Sequence, residues 1–390
     1  MSQTSASPRI DHMPSPAHIW LVLIQPTESL PQGYHLQIPL TIIESFAIPR
    51  SRSKFLRFIG YCVVGMKGHL KRELTQEQGA GTVRLLNVND ADELVDQGIY
   101  HFFTSSGEGI IADSFVDLDV VLRKHTLSYT TTTTRDYQFV AEVRERDGGS
   151  IFDRMSPRFN VAQHIIPQAR GDEWIQHIVA KRPLDHSDVR SVDDVRNGFM
   201  VNGFLNQAFD VKYRTFVIIK TPNPILDMDD IPGCVERGKV RDDTSYPTQC
   251  RYTLKYMTKE MQEDQLSVLY PDNIDATFVQ DNEGKLPSGP LLDYVFGAAA
   301  VFEWGCRDLT DTFNKLGYQP YHPTASVARR RRGKLTPQPD EEGGSVSGEE
   351  VDALDFVMFL RINTGAARRR REEEDAALRS RISAWASDVE

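Results

Sequence analysis

The sequence predicts a mixed α+β fold for a chain of 390 residues. Three observations lead to this prediction. The first third contains short runs of β-branched and aromatic residues between Pro, Gly and Ser, a pattern typical of strands. The middle third adds segments in which apolar residues recur at helical spacing. The last part is charged and rich in Pro, Gly and Ser, which is typical of a linker with a charged tail.

The composition allows a folded protein of two or three domains, because 40% of the residues are hydrophobic. Lys and Arg number 45 against 55 Asp and Glu, so the formal net charge is −10. A chain of this charge does not coat nucleic acid through bulk positive charge. Any contact with nucleic acid is therefore expected to be local.

We expect an intracellular protein that does not enter a membrane. No stretch approaches the ~20 apolar residues of a membrane span. Residues 1–17 lack the basic and apolar regions of a signal peptide and are expected to be disordered. The four cysteines are scattered without a CxxC pair, so neither a disulfide framework nor a structural zinc site is indicated.

Residues 18–120 are predicted to form a β-rich or α+β N-terminal module. Four segments within it have the composition of strands. They are "HIWLVLI", "GYHLQIPLTIIESF", "KFLRFIGYCVVG" and "GTVRLLNV".

Residues 137–306 form a second predicted unit, in which helices and strands alternate. "YQFVAEVRERDGG" has helical apolar spacing and ends at a Gly pair suited to a helix stop. "FNVAQH" alternates as a strand does, and a turn at Gly171 and Asp172 separates it from a helix in "EWIQHIVAKR". The remaining predictions are a turn and then a helix in "DDVRNGFMVNGFLNQAFD", a strand in "YRTFVIIKTPN" and a buried helix from Leu291 to Trp304.

The C-terminal part is predicted as a disordered linker over residues 324–350 and a charged helical tail over residues 351–390. The run Arg329–Arg332 is typical of a nuclear import signal, which makes a nuclear location one expectation. Accessory phosphate binding is the alternative role for this run.

Five short boxes follow one another in the second unit: "QHIIP", "GD", "DVRNG", "LNQAFD" and "TPN". In this order they resemble the boxes of the HNH nuclease family, and in particular those of the fungal HNH-domain-containing proteins. "VRERDGG", "RYTL" and "PSGPLLDYVFGAAAVFEWG" are similar to the same group, so the resemblance spans residues 137–306. It implies a ββα-metal core, in which a hairpin packs against a helix and a metal ion lies between them.

The resemblance implies roles for three residues. His164 takes the place of the catalytic histidine, a general base that deprotonates water. Asn197 takes the place of the middle asparagine, which holds the loop or the histidine by amide hydrogen bonds. Asn206 stands where the family has a metal-binding histidine on the helix. An amide oxygen suits Mg²⁺, or another divalent cation such as Mn²⁺, and makes zinc an unexpected metal.

The chain departs from the family pattern at further positions. Gln163 stands where some HNH enzymes carry a carboxylate or a second histidine. Ser150 stands where the family frequently has a cysteine in "RDG-x-C", and Asp153 and Arg154 stand where a Thr-Gly pair follows it. Asp172 and Asp210 are candidates for an additional carboxylate near the ion. We favour a helix N-cap for the first and a helix end for the second.

Nucleic-acid contacts are expected from a local basic cluster. It comprises Arg170, Lys181, Arg182, Arg190 and Arg196. Arg170 and Arg196 are the favoured substrate-binding residues, since phosphate contacts position a duplex without reading its sequence. Ordinary surface positions are the alternative for all five. Trp174 and Trp304 are expected in the hydrophobic core.

These observations lead to two main hypotheses for the function. The first is a metal-dependent endonuclease that hydrolyses phosphodiester bonds in nucleic acid, with DNA assumed from the family. The second is a degenerate HNH module with little or no catalysis, which acts as a nucleic-acid or protein interaction domain. A domain that cleaves only within a complex is a third alternative. No pattern in the sequence indicates an oligomeric state.

Overall fold

The structure, a computed structural model, covers the chain in separate stretches. The described residues are 18–24, 33–74, 84–94, 98–104, 116, 134–153, 159–182, 189–210, 216–233, 243–262, 265–279 and 284–305. The predictions for residues 1–17, for the linker and charged tail and for Arg329–Arg332 lie outside these residues. The described part has a mixed α+β fold, as predicted.

A five-stranded sheet forms the first part of the fold. Its strands are β1 (His18–Ile24), β2 (Tyr34–Pro39), β3 (Gly68–Leu74), β4 (Arg84–Val88) and β5 (Ile99–Thr104). They are ordered β2-β1-β5-β3-β4, and neighbours are antiparallel except β1 with β5. The strand predictions are thereby confirmed for "HIWLVLI", for the first half of "GYHLQIPLTIIESF" and for "GTVRLLNV".

The strand prediction is wrong for two segments, which form helices. "LTIIESF" is α1 (Leu40–Phe46), and "KFLRFIGYCVV" lies within α2 (Arg52–Val64). Nearly every side chain from Phe55 to Val64 is buried, and periodicity does not distinguish such an apolar run from a strand. The helical signals are the length of 13 residues and Gly65, which ends the helix with a φ of 79°. The N-terminal module is therefore α+β, one of the two forms expected.

Two antiparallel ribbons and several helices make up the second part of the described chain. The first ribbon pairs β6 (Asn160–His164) with β7 (Gly198–Asn202), and the second pairs β8 (Phe216–Thr221) with β9 (Arg251–Tyr256). The helices are α3 (Thr134–Asp147), α4 (Asp172–Lys181), α5 (Gly203–Asp210), α6 (Lys259–Gln262), α7 (Gln265–Leu269) and α8 (Gly289–Trp304). Single 3-10 turns lie at residues 49–51, 168–170, 195–197 and 228–230.

Most element predictions for this part are confirmed. Helices α3, α4 and α8 and strands β6 and β8 lie where the sequence predicts them, and Gly148 follows α3 with a φ of 67°. Four elements of this part were not predicted: β7, β9, α6 and α7. Strand β7 lies between the turn at residues 195–197 and α5. All five residues of β7 are buried, so its sequence shows no alternation of polar and apolar residues that would mark a strand.

One hydrophobic core joins the two parts of the fold. Helices α2 and α8 pack directly on each other, and the ring centroids of Phe58 and Phe296 lie 5.3 Å apart. Gly297 allows this approach, since a Cβ atom there would lie 2.2 Å from the carbonyl oxygen of Cys62. The predicted domain boundaries stay predictions, but the two parts share one apolar interior.

The core takes up both tryptophans that the sequence places there, Trp174 and Trp304. It also contains the Cys62 thiol, whose pKa burial raises well above its ordinary value. Within the described helices, none combines the length and the apolar character that crossing a membrane requires.

Candidate active site

The first ribbon carries the residues to which the HNH resemblance assigns roles. His164 is the last residue of β6 and lies opposite Gly198, the first residue of β7. Asn197 directly precedes Gly198, and α5, which carries Asn206, directly follows β7. The chain thus forms two antiparallel strands and then a helix, with His164 and Asn197 at the same end of the ribbon.

The imidazole of His164 lies between an aromatic ring and a carboxylate. The Phe139 ring of α3 is stacked on it, with centroids 3.9 Å apart and planes inclined by 9°. At the edge of the imidazole, Nε2 lies 3.4 Å from Oδ1 of Asp193. The His164 side chain is 18% exposed, while its Nε2 atom is buried. Part of the His164 side chain is therefore exposed, but the Nε2 atom is not.

Gly198 leaves the space that this stack needs. A Cβ atom at Gly198 would lie 2.4 Å from Cζ of Phe139, much closer than van der Waals contact. Because Gly198 lies directly opposite His164, its missing side chain lets α3 approach this end of the ribbon. The glycine of the "DVRNG" box thus has a packing role beside the imidazole.

Asn197 holds the loop that follows His164. Its side chain is completely buried, and its Oδ1 accepts a hydrogen bond from the backbone N–H of Ile166 at 2.9 Å. Its Nδ2 donates to the carbonyl oxygens of Ile166 at 3.0 Å and Val192 at 2.7 Å. The amide hydrogen bonds that the resemblance implies are therefore present, and they use the asparagine as donor and acceptor.

A buried ion pair ties α3 to the ribbon. The guanidinium of Arg146 donates to both carboxylate oxygens of Asp147, at 2.6 Å and 2.9 Å. It also donates to the carbonyl oxygens of Val195 at 2.9 Å and Gly198 at 2.8 Å, on either side of the Asn197 position. The carboxylate of Asp147 accepts the backbone N–H of Met200 at 2.7 Å. The "RDG" box thus positions the helix that carries Phe139.

The loop of residues 189–197 is anchored to the start of α4. Oδ1 of Asp172 accepts hydrogen bonds from Ser191 Oγ at 3.0 Å and from the backbone N–H of Val192 at 2.7 Å. The predicted N-cap role of Asp172 is wrong, because Gly171 occupies the cap position with a φ of 79°. Asp172 is the first residue of the helix, and its carboxylate fixes the loop instead.

The expected basic cluster is only partly available to a ligand. Arg182 is 1% exposed and donates to a backbone carbonyl of α2, so its expected contact with nucleic acid is wrong. Arg196 forms an ion pair with Asp194 at 2.7 Å. The Arg170 guanidinium lies over the Trp174 ring, 5.1 Å from its centroid. The two favoured substrate-binding residues thus already contact neighbouring side chains.

Helices α3 and α5 pack on opposite faces of the ribbon. Successive side chains of a strand point to opposite faces. Met200 packs against α3, whereas Phe199 contacts Phe209 of α5, with ring centroids 5.5 Å apart. Asn206 lies near the start of α5 and is partly buried. The ribbon therefore lies between the helix that carries Asn206 and the ring of His164.

The predicted metal ligand offers one neutral amide oxygen. Within the described residues, no group of three His, Cys, Asp or Glu side chains is placed to hold a metal ion. Gln163 is buried and donates from Nε2 to the carbonyl oxygen of His164 at 2.7 Å. Asp210 is the last residue of α5, which agrees with its predicted place at a helix end. Its side chain is not among the described ones. A cation at Asn206 would take most of its ligands from water or substrate, which suits Mg²⁺.

A polar cluster at the far end of the ribbon fixes the start of α5. Oδ2 of Asp153 accepts hydrogen bonds from Ser150 Oγ at 2.7 Å and from Asn202 Nδ2 at 2.5 Å, and Asn202 also contacts the Tyr270 hydroxyl. Burial and the charge of Asp153 raise the pKa of Tyr270, which keeps its hydroxyl a donor. Oδ1 of Asn202 accepts the Leu205 N–H at 3.1 Å. Ser150 and Asp153, which differ from the family pattern, therefore have a structural role in this cluster.

Three residues that contact His164 or hold the backbone near it were not identified as site residues from the sequence. Phe139 was predicted only as part of an apolar helix face, and Arg146 only as part of the "VRERDGG" box. Asp193 is one of two adjacent aspartates in "DDVRNG", and sequence alone does not show which of them reaches the histidine.

The geometry around His164 can perform proton transfer, because an imidazole that is partly exposed is held in one orientation beside a carboxylate. Three of the five boxes, "QHIIP", "DVRNG" and "LNQAFD", contribute residues of the ribbon, the loop and α5 to this arrangement, whereas "GD" begins α4 and "TPN" lies at the end of β8. No family model, no curated protein and no solved structure matches the chain.

Proposed function

We propose that the chain is a metal-dependent endonuclease that hydrolyses phosphodiester bonds, with His164 as general base. The observation that carries this proposal is the setting of the His164 imidazole. It lies partly exposed at the end of the ribbon, with Phe139 on its face and Asp193 at its edge. The order of the five boxes, which resembles that of HNH nucleases, supports the same reaction.

The base acts on a water molecule. A neutral imidazole accepts the proton as the water oxygen attacks phosphorus, and the bond to the leaving oxygen breaks. The imidazolium that forms lies beside the Asp193 carboxylate, whose side chain is only 7% exposed. Because the pair is mostly shielded from solvent, the carboxylate stabilises this positive charge more than it would in water.

Asn197 and the Arg146–Asp147 pair keep the base in place before substrate arrives. Asn197 fixes the backbone after His164, and Arg146 fixes the backbone on both sides of Asn197. A base whose orientation is set by buried hydrogen bonds needs little rearrangement in the transition state. These residues act through His164 and do not touch the reacting atoms.

A divalent cation is the cofactor that the resemblance implies, and Asn206 is the residue that would hold it. Such a cation would stabilise negative charge on the leaving oxygen if it lay beside the His164 ring. In this structure the ribbon separates Asn206 from that ring. A hard, neutral amide oxygen fits Mg²⁺ or Mn²⁺ better than it fits zinc. Asn206 is partly buried at the start of a helix, so its position is set by the fold.

The proposed substrate is nucleic acid, and DNA is the form that the resemblance favours. Arg170 and Arg196 are the residues proposed to contact backbone phosphates. Arg196 would do so while its guanidinium keeps the Asp194 carboxylate, which makes it a fixed donor. The net charge of −10 limits such contacts to this local surface.

A second candidate is an interaction module derived from a nuclease. Two observations favour it: the described residues hold no group of three metal-binding side chains, and α5 packs on the ribbon face opposite the His164 ring. In this case the same ribbon is a scaffold without strong metal binding. The two candidates differ in what Asn206 does.

Plasmid nicking by the full chain tests the proposal. We expect nicking with Mg²⁺ or Mn²⁺, none with EDTA, and a loss of about a hundredfold or more in His164→Ala. The matched control is His177→Ala, a partly buried histidine of α4 outside the five boxes, which keeps wild-type nicking. Equal nicking by wild type and His164→Ala would contradict the role of the base.

The Asn206 variants distinguish the two candidates. Asn206→Ala abolishes nicking if the cation is held there, and Asn206→His restores the family's ligand and raises activity if the present site is only weakened. Absence of nicking in both the folded wild type and Asn206→His would favour the interaction module.

A further inference from the structure

We infer that Asp193 is the positioning residue of His164: the charge of its carboxylate favours a proton on Nε2, which leaves Nδ1 as the basic atom of the neutral ring. The catalytic meaning of this arrangement rests on the proposed function. The location of the proton on the ring does not, so it is tested separately.

Phe139 fixes the plane of the imidazole but not its orientation within that plane. Two nearly parallel rings with centroids 3.9 Å apart resist tilting. A hydrocarbon ring neither donates nor accepts an ordinary hydrogen bond, so it does not distinguish the imidazole from the same ring turned by 180° about χ2. The polar group at the ring edge, Asp193, makes this choice.

The carboxylate determines which nitrogen carries the proton. An ionised carboxylate offers no proton of its own, and the buried Nε2 lies 3.4 Å from its Oδ1, an electrostatic contact and not an aligned hydrogen bond. A proton on Nε2 is attracted to this oxygen, whereas an unprotonated Nε2 would place its lone pair against it. The neutral ring of His164 therefore carries its proton on Nε2.

Asp193 is itself held by its surroundings. Nε2 of Gln168 donates to Oδ1 of Asp193 at 3.3 Å, and the backbone N–H of Asp193 donates to Ser191 Oγ at 3.3 Å. Ser191 in turn donates to Asp172 at 3.0 Å. Hydrogen bonds thus link Asp172, the first residue of α4, through Ser191 to the backbone of Asp193. This link gives Asp172 a part in the site that its expected cap role did not include.

The consequence for the reaction is that Nδ1 is the basic atom. Nε2 is buried and faces Asp193, so it does not meet a water molecule at the exposed side of the ring. The lone pair of Nδ1 takes the proton from water, and the resulting imidazolium keeps its Nε2–H directed at the carboxylate.

Long-range ¹H–¹⁵N NMR correlation on ¹⁵N-labelled protein tests where the proton lies. It reports which ring nitrogen is protonated, and the His164 signals are those missing from His164→Ala. We expect the Nε2-protonated form for the neutral ring of the wild type. A ring protonated on Nδ1, or an equal mixture of both forms, would overturn the inference.

Asp193→Asn is the variant that removes the preference of the His164 ring for a proton on Nε2. The amide keeps the size of the carboxylate but can turn its NH₂ group to Nε2, so the Nε2-protonated form loses its advantage. We expect a shift toward the Nδ1-protonated form and a loss of nicking of roughly a hundredfold. The matched control is Asp229→Asn, at an exposed position in the turn at residues 228–230, which keeps the wild-type tautomer and nicking.

The outcomes separate this inference from the proposed function. An unchanged tautomer in folded Asp193→Asn overturns the positioning role, even if the wild type nicks DNA. The expected tautomers in a protein that nicks nothing support the positioning role and count against the nuclease alone. The wild-type measurement needs no variant, so a poorly folding Asp193→Asn does not prevent the test.

Discussion

Two helix contacts of this chain are built in different ways. Helix α8 packs on α2 through apolar side chains, with Phe58 against Phe296, inside the core that spans both parts of the fold. Helix α3 packs on the ribbon through a small separate apolar cluster that includes Phe139 and Met200, and through the buried Arg146–Asp147 pair. Apolar burial dominates the first contact, and hydrogen-bonded charge dominates the second. Stability and site geometry are therefore expected to respond to different substitutions.

Breaking the Arg146–Asp147 ion pair, which belongs to the second contact, should cause the largest loss of stability. Arg146→Ala leaves the Asp147 carboxylate buried without its cation, which costs about 3–5 kcal/mol in the free energy of unfolding. Urea denaturation measures this loss. Arg144→Ala, an exposed arginine of the same helix, is the control and changes stability by less than about 0.5 kcal/mol. Equal effects at the two positions would contradict the described packing.

Adding a methyl group between α2 and α8 should cause the second largest loss of stability. In Gly297→Ala the new methyl group meets the backbone carbonyl of Cys62 at 2.2 Å, and backbone does not move aside as a flexible side chain does. We expect a loss of roughly 1–3 kcal/mol in urea denaturation. Gly233→Ala is the control, because a Cβ atom there meets no atom within 4 Å. An undiminished stability of Gly297→Ala would show that α2 and α8 lie farther apart.

The same change at the ribbon should affect activity more than stability. In Gly198→Ala the methyl group meets the Phe139 ring at 2.4 Å, and the ring can shift. The loss in the free energy of unfolding should be about 1 kcal/mol, at the low end of the values for overpacked cores. Nicking should fall because the Phe139 ring, and with it the stacked His164 imidazole, is displaced. Gly203→Ala, whose Cβ would lie 3.9 Å from the backbone oxygen of Phe159, is the matched control. Wild-type nicking by Gly198→Ala would argue against a role of the stack.

The smallest expected effect is a pH dependence in the N-terminal sheet. His35 is buried and stacked on Trp20, with ring centroids 4.6 Å apart, and burial lowers its pKa. As pH falls below the unfolded-state value of ~6.5, the unfolded chain takes up this proton more readily than the folded one. Stability contributed by neutral His35 is therefore full above this pH and decreases as pH falls toward the folded-state pKa.

Urea midpoints at about pH 7.5 and about pH 5.5 measure this dependence. The wild type should lose more stability between the two values than His35→Phe, which keeps the stacked ring but has no titrating nitrogen. Identical losses in the two proteins would show that His35 does not contribute to the pH dependence of stability.

The sequence predicts elements well where periodicity or turn residues mark them. Strand β1 and helix α3 have clear patterns, and α3 also has its glycine stop. Helix α2 and strand β7 are missed for the same physical reason. Both are buried on all sides, so the alternation that separates helix from strand is absent from their sequences.

The site is predictable only in part. His164 and Asn197 stand out because their boxes occur in a known order, and the structure places them at one end of the ribbon. Asp193 and Phe139 reach the imidazole through tertiary packing, from a loop and from a helix that precedes the ribbon. No local pattern reports such contacts. The burial of Arg182 has the same origin, since its charge alone predicts a surface position.

Chemical rescue tests the central claim, that the His164 ring is the base, most directly. His164→Gly is expected to lose metal-dependent plasmid nicking and to regain part of it when free imidazole is added, because imidazole can enter the space beside Phe139. Asn197→Ala, which keeps the ring but loses its loop contacts, should gain nothing from imidazole. Wild-type nicking by His164→Gly without imidazole would contradict the claim.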